Sequence, residues 1–192
     1  MFPSHDQSER KIAEASATNE VVAYNNIQRI GVTPLVSVGT GDQERNGRSI
    51  KFVNMSFKGI LRKQDTAKSN TVRVILVKMK YVNNANPNLT DILQYTTATA
   101  AVVNSHRNLD EARNFKVYYD KKITLTEDRP TRNLNFYRKL NMKQIYKKNS
   151  TGNTVSDLEY GNMFLFLLSD IASGTGTPPL LDYIIRSRFV DN

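Results

Sequence analysis

The segment "TVRVILVKMKY", residues 71–81, is crowded with β-branched and apolar side chains and runs into an Asn/Pro loop, "NNANPN". β-Branched residues lose rotamer freedom in a helix and sit well on a pleated surface, so the segment reads as a central strand. Upstream, "FVNMSFKGIL" places Val53, Met55 and Phe57 on alternate positions, while Ile50 and Phe52 fall in the opposite phase. One strand can hold both phases if a bulge near Phe52 shifts the alternation, or if both faces are buried. Further strand-like runs are "NFKVYYDKKITL" (114–125), "NLNFYRKLNMKQIYKK" (133–148), "YGNMFLFLLSD" (160–170) and "LLDYIIRSRFV" (180–190). Turn-rich links separate them, and "SGTGTPP" (173–179) is a loop by composition.

Few segments carry a helical period. "LTDILQ" (89–94) and "NLDEARN" (108–114) are short helical turns, and "SHDQSERKIAEAS" (4–16) predicts a short N-terminal helix from Ser4 and Gln7 at capping-box spacing. A parallel α/β sheet needs a helix after nearly every strand, which this chain does not supply. The pattern is all-β, a sandwich or barrel with the jelly roll as the leading form. A chain of 192 residues suits one well-buried core, and no internal repeat is visible.

Composition narrows the function classes. The chain is 39% hydrophobic and 23% charged, as expected of a folded protein, and it has no cysteine, hence no disulfide, thiolate nucleophile or cysteine-based zinc site. The longest apolar run, "MFLFLLSD", stops at Asp170, far short of a membrane-spanning helix, and no membrane association is expected. "MFPSHDQSERK" lacks the apolar centre of a secretory signal.

The net charge of +9 is concentrated. Residues 45–80 hold ten basic side chains and one acidic, residues 129–148 hold seven and none, and residues 1–44 are net −3. Clustered cations suit a polyanion, because each neutralised phosphate releases counterions. "NFYRKLNMKQIYKK" also interleaves Phe136, Tyr137 and Tyr146 with cations, a texture that serves either a core-facing strand or a stacking platform for single-stranded nucleic acid.

No catalytic pattern emerges. In "GTGDQERNGRSIKF" (39–52), Gly39, Gly41 and Gly47 match neither the Walker nor the dinucleotide spacing, and a strand follows where a phosphate loop needs a helix. Turn chemistry explains the stretch, with Asn46–Gly47 favouring positive φ. His5 and His106 stand outside any metal-ligand spacing, and Asp110/Glu111 and Glu127/Asp128 read as capping or solvated carboxylates. The reading is a non-enzyme, with no cofactor and no metal implied.

Taken in order, "ERNGRSIKFVNMSFKG", "VRVILVKMKYVNNANPNLTDIL", "SHRNLDEARNFKVYYDKKITL", "YRKLNMKQIYKKNSTGNTVSDLEYGNMFLFLLSD" and "YIIRSRFVDN" resemble the coat proteins of small circular Rep-encoding single-stranded DNA (CRESS-DNA) viruses. A more distant similarity is to the coat protein of satellite tobacco necrosis virus. The resemblance covers residues 39–192 and implies a single eight-stranded antiparallel jelly roll (45–192) behind an N-terminal arm (1–44). It further implies self-assembly into a small icosahedral, T=1 shell around viral single-stranded DNA, and residence in the virion with assembly in the host nucleus. By the same analogy Arg10, Lys11, Arg45, Arg48 and Lys51 face the genome, followed by Lys78 and Arg113. The family's Arg/Lys-rich arm has no counterpart in the acidic residues 1–44. The alternative is a jelly-roll or OB-like module that binds single-stranded nucleic acid without forming a shell; a carbohydrate-binding jelly roll is disfavoured by the basic charge and the absence of tryptophan.

Overall fold

The structure is a computed structural model that describes residues 10–64, 69–81, 86–152, 154–174 and 177–191. The described residues form eight strands: β1 (Arg10–Val21), β2 (Gln28–Gly31), β3 (Ser49–Arg62), β4 (Asn70–Tyr81), β5 (Phe115–Leu125), β6 (Thr131–Tyr146), β7 (Leu158–Ser169) and β8 (Leu180–Asp191). All strand pairings between them are antiparallel. One layer runs β1-β8-β3-β6, and the other runs β2-β7-β4-β5. They join at one corner, where Ile145 and Tyr146 of β6 pair with Tyr160 and Leu158 of β7. Two four-stranded layers with this strand order form a jelly roll, the fold class expected from the sequence.

The alternation in β3 shifts where the sequence indicated. Pairing with β8 skips a residue between Phe52 and Asn54, so Val53 is the extra residue. Against β6, Leu140 and Asn141 stand opposite Val53, and Asn141 takes φ 99°. The bulge lets Ile50 and Phe52 on one side of it, and Met55, Phe57 and Leu61 on the other, all enter the core with no exposed surface. Phe57 stacks between Phe136 and Tyr183, at ring separations of 5.1 and 5.7 Å, which ties three strands of that layer together.

β4 is central, flanked by β7 and β5. Its even positions, Val72, Val74 and Leu76, enter the core between the layers. Its odd positions, Ile75, Val77 and Met79, enter a second core on the other face, built with Leu89, Ile92, Leu93, Val102 and Val103 from the β4–β5 connection. The 3-10 turns Leu89–Asp91 and Ala100–Asn104 thus cover the outer face of β2-β7-β4-β5, which is why β4 and β7 lack polar alternation. The expected turn at 108–114 is present as hydrogen-bonded turns, with Ala112 N donating to Leu109 O and Asn114 N to Glu111 O.

Two expectations are corrected. Residues 10–16 of the predicted N-terminal helix form β1, paired with β8 from Arg10↔Val190 to Ser16↔Ile184, while residues 4–9 lie outside the described residues. The short Ala-rich segment has good helix formers, but an open edge of β8 satisfies its backbone and buries Ala13, and tertiary pairing overrides weak propensity. β1 and β2 therefore belong to the two layers although both precede residue 45. Neither Asn46 nor Gly47 takes positive φ. The glycines that do include Gly152 and Gly161.

Gly161 marks the corner where the layers meet. With φ +77°, a Cβ there would sit 2.1 Å from the Lys143 carbonyl oxygen. Gly161→Ala should lower unfolding free energy by about 2–4 kcal/mol in urea denaturation, whereas Gly31→Ala in β2, where a Cβ meets nothing within 4 Å, should stay within about 0.5 kcal/mol. Equal, small effects at both sites would contradict this account of the corner.

Candidate nucleic-acid interface

Because the β4–β5 connection covers the second layer, the outer face of β1-β8-β3-β6 is the sheet face left open by the described residues. Side chains at paired positions lie on the same side of a sheet, so the register defines rows across this face. Arg10, Val190, Lys51 and Lys143 form one row, and Ile12, Arg188, Asn54 and Lys139 form the next. Neither row contains a carboxylate, and Arg10, Lys51, Lys139, Lys143 and Arg188 are all exposed. Arg10, Lys51 and Lys139 line a groove of about 530 Å³ that also includes Val53, Asn54, Tyr137, Leu140, Asn141 and Val190.

The next row holds Glu14, Arg186, Ser56 and Tyr137. Here the charge is balanced, since Arg186 pairs with Glu14. Tyr137 is 57% exposed beside the cationic rows, a ring that carries both a face for stacking and a hydroxyl in water. Farther along, Arg62 pairs with Asp182 at 2.7 Å, and Ile60 and Ile184 leave an apolar groove of about 490 Å³ with Ala17 and Tyr183. The face is therefore graded: a cluster of unpaired cations at the Arg10 end, and at the other paired charges and apolar side chains with Lys58 exposed among them.

The residues expected to face a genome do not gather in one place. Arg10 and Lys51 share the cationic groove. Arg48 is exposed at the entry to β3, where its Nη2 meets Glu159 at 2.9 Å and its Nε donates to the Tyr146 carbonyl. Lys78 is half-buried, with its ammonium 5.8 Å from the Tyr160 ring, and Arg113 is exposed on the β4–β5 connection.

Lys11 and Arg45 are enclosed instead. Lys11 is 4% exposed, and its Nζ reaches the Glu44 carbonyl at 2.9 Å and the Asp191 carboxylate at 3.1 Å. Arg45, 2% exposed, donates to the carbonyls of Val36, Gly47 and Ser150, and its guanidinium lies 3.9 Å from the Tyr146 ring centroid. Both cations hold the 36–47 loop against the sandwich, so neither offers a donor to a phosphate. Glu44 folds the same loop by accepting from Gly41 N at 2.9 Å. The glycine-rich stretch is thus a scaffold turn. Gly152 completes it, since a Cβ there would lie 2.4 Å from the Val36 carbonyl oxygen.

Sequence reasoning missed Lys139, Lys143 and Arg188 as a group. The basic block 129–148 and the alternation of Arg186 and Arg188 in "IIRSRFV" contain the signal, but only the register brings these strands beside β3.

Tyr146 is fully buried, donates its hydroxyl to Gln144 Oε1 at 2.9 Å and accepts from Val36 N at 2.9 Å. Burial pushes its hydroxyl up from 10.0 to about 12, against the opposing influence of the Val36 amide and Arg45. A raised folded-state value stabilises the protein fully below pH 10, and that contribution is lost as pH climbs toward 12. It corresponds to on the order of 2–3 kcal/mol. Tyr146→Phe should cost about 1–3 kcal/mol at pH 8 by orphaning Val36 N–H, yet its stability should fall less steeply than wild type between about pH 10 and 12. Parallel stability curves for the two proteins would contradict the assignment.

No family model matches the chain, and no curated protein matches it. Among solved structures it is similar to a chain of Desmodium yellow mottle tymovirus, at 12% identity and TM-score 0.42 over 98% of this chain and 90% of that one. It is also similar to a chain of Cocksfoot mottle virus (8% identity, TM-score 0.37, 95% and 93% covered) and to one of a marine algae virus of the order Picornavirales (11%, 0.30, 98% and 75%). At these scores the likenesses carry no weight; fold and site rest on strand order and surface chemistry.

Proposed function

We propose that the chain is a viral coat protein that assembles with copies of itself into a small shell and neutralises packaged single-stranded nucleic acid through the open face of β1-β8-β3-β6. The observation that carries this reading is the pair of carboxylate-free rows holding Arg10, Lys51, Lys143, Arg188 and Lys139. A sheet holds these charges at fixed spacing without recognising base edges, as sequence-independent packaging requires. Tyr137, at the margin of the rows, offers a stacking surface that any base can use. The apolar groove at Ile60 and Ile184 is suited to subunit contact, since symmetric repetition multiplies weak contacts into a closed particle. The resemblance to CRESS-DNA virus coat proteins favours DNA as the cargo, a T=1 shell and assembly in the host nucleus. No step in this role needs catalysis.

Purified protein should form uniform shells by negative-stain microscopy and carry nucleic acid by absorbance ratio. Lys51→Glu/Lys139→Glu/Arg188→Glu should reduce packaged nucleic acid several-fold, while Lys116→Glu on β5 should leave it unchanged. A chain that stays monomeric across salt and pH while still binding oligonucleotides would favour the non-shell binding module, and unchanged packaging by the triple variant would overturn the assignment of the face.

A further inference from the structure

A second cationic site lies on the covered side of the molecule. Arg73 of β4 is 7% exposed and grips Asp120 of β5 with two bonds, Nε to Oδ1 at 2.8 Å and Nη2 to Oδ2 at 3.0 Å. Its Nη1 donates to the carbonyls of Val103 and Ser105, at 3.2 and 2.6 Å. Arg107 adds a third bond to the same carboxylate, Nε to Oδ2 at 3.0 Å. Burial pushes the Asp120 carboxyl up, but its bonds and attraction to Arg73 and Arg107 outweigh that and hold it below the ordinary carboxylate range.

Asp120 therefore offsets one of the two arginines and leaves the other in excess. Around this pair is a pocket of about 320 Å³ lined also by Asn104, Ser105, His106, Lys121 and Lys122. Asp120 is the one carboxylate in that lining. Both cations are exposed, and each is tethered by a hydrogen bond: Arg107 Nε donates to Asp120, and Lys122 Nζ donates to Asn104 Oδ1 at 2.5 Å. Tethered cations in a polar concavity bind an anion with less loss of side-chain freedom than untethered ones do. A forked guanidinium beside an ammonium matches a tetrahedral group bearing several acceptor oxygens.

From this geometry we infer that the Arg107–Lys122 pocket is a binding site for a tetrahedral oxyanion, a phosphate or sulfate group. It is separate from the open sheet face and does not depend on the coat-protein reading.

Calorimetric titration of the full chain with inorganic phosphate and with sulfate, at fixed ionic strength, tests it. Saturable one-to-one binding is expected, weakened about tenfold or more in Arg107→Gln/Lys122→Gln and unchanged in Lys51→Gln/Lys139→Gln. Lys122→Gln alone, which leaves the Asp120 network intact, should weaken binding with an unchanged melting temperature. Absence of saturable binding to wild type, or equal binding by the Arg107/Lys122 variant, would overturn the proposal. Competition by a sulfated disaccharide, by a short oligodeoxynucleotide or by neither distinguishes a sulfate ester, a nucleic-acid phosphate and a free oxyanion as the natural ligand.

Discussion

The arrangement depends on a buried stack of Arg45 on Tyr146 at the corner where the two layers join. Tyr146 ends β6, pairs with Leu158 of β7 and fixes Val36 through its hydroxyl. Arg45, lying over its ring, gathers the carbonyls of Val36, Gly47 and Ser150. A buried guanidinium is costly unless its donors are satisfied, and here main-chain carbonyls and an aromatic face supply that satisfaction. The connections β2–β3 and β6–β7 are thereby fastened to one point. β3 enters the sheet from it with a defined phase, and the bulge at Val53 then delivers both halves of β3 to the core.

That phase determines what the open face presents. With Phe52 and Met55 inward, Lys51 and Asn54 face outward, and the pairings of β8 and β6 bring Arg188, Lys139 and Lys143 beside them. The other layer cannot serve in the same way, because the β4–β5 connection lays a second hydrophobic core over it. The asymmetry is a matter of burial first and charge second: one layer is covered by its own chain, and the bare one carries cations where acidic partners are missing. Farther along the same face, the Arg62–Asp182 and Arg186–Glu14 pairs neutralise charge and leave Lys58 exposed between them, so the cluster of unpaired cations lies at the Arg10 end.

The central layers were legible in the sequence because their signals are local. β4 announced itself through β-branched density, and the conflicting phases of Ile50/Phe52 and Met55/Phe57 located the bulge. β1 was not legible, since "RKIAEAS" favours helix locally and becomes a strand only because β8 offers an edge. Among the site residues, Arg10 and Lys51 lie where a phosphate could reach them. Lys11 and Arg45 looked identical to them in sequence, but burial depends on contacts with Asp191, Tyr146 and Ser150, far away along the chain. Lys139 and Arg188 were visible as charges and invisible as neighbours, because register is a tertiary property.

The proposed packaging lays nucleic acid against β1-β8-β3-β6. Its most direct test is lysine acetylation of intact particles, loaded and emptied of nucleic acid, read by mass spectrometry. Lys51, Lys139 and Lys143 should be protected only in loaded particles, while Lys116 and Lys148 react alike in both. Equal reactivity of Lys51, Lys139 and Lys143 with and without nucleic acid would contradict it.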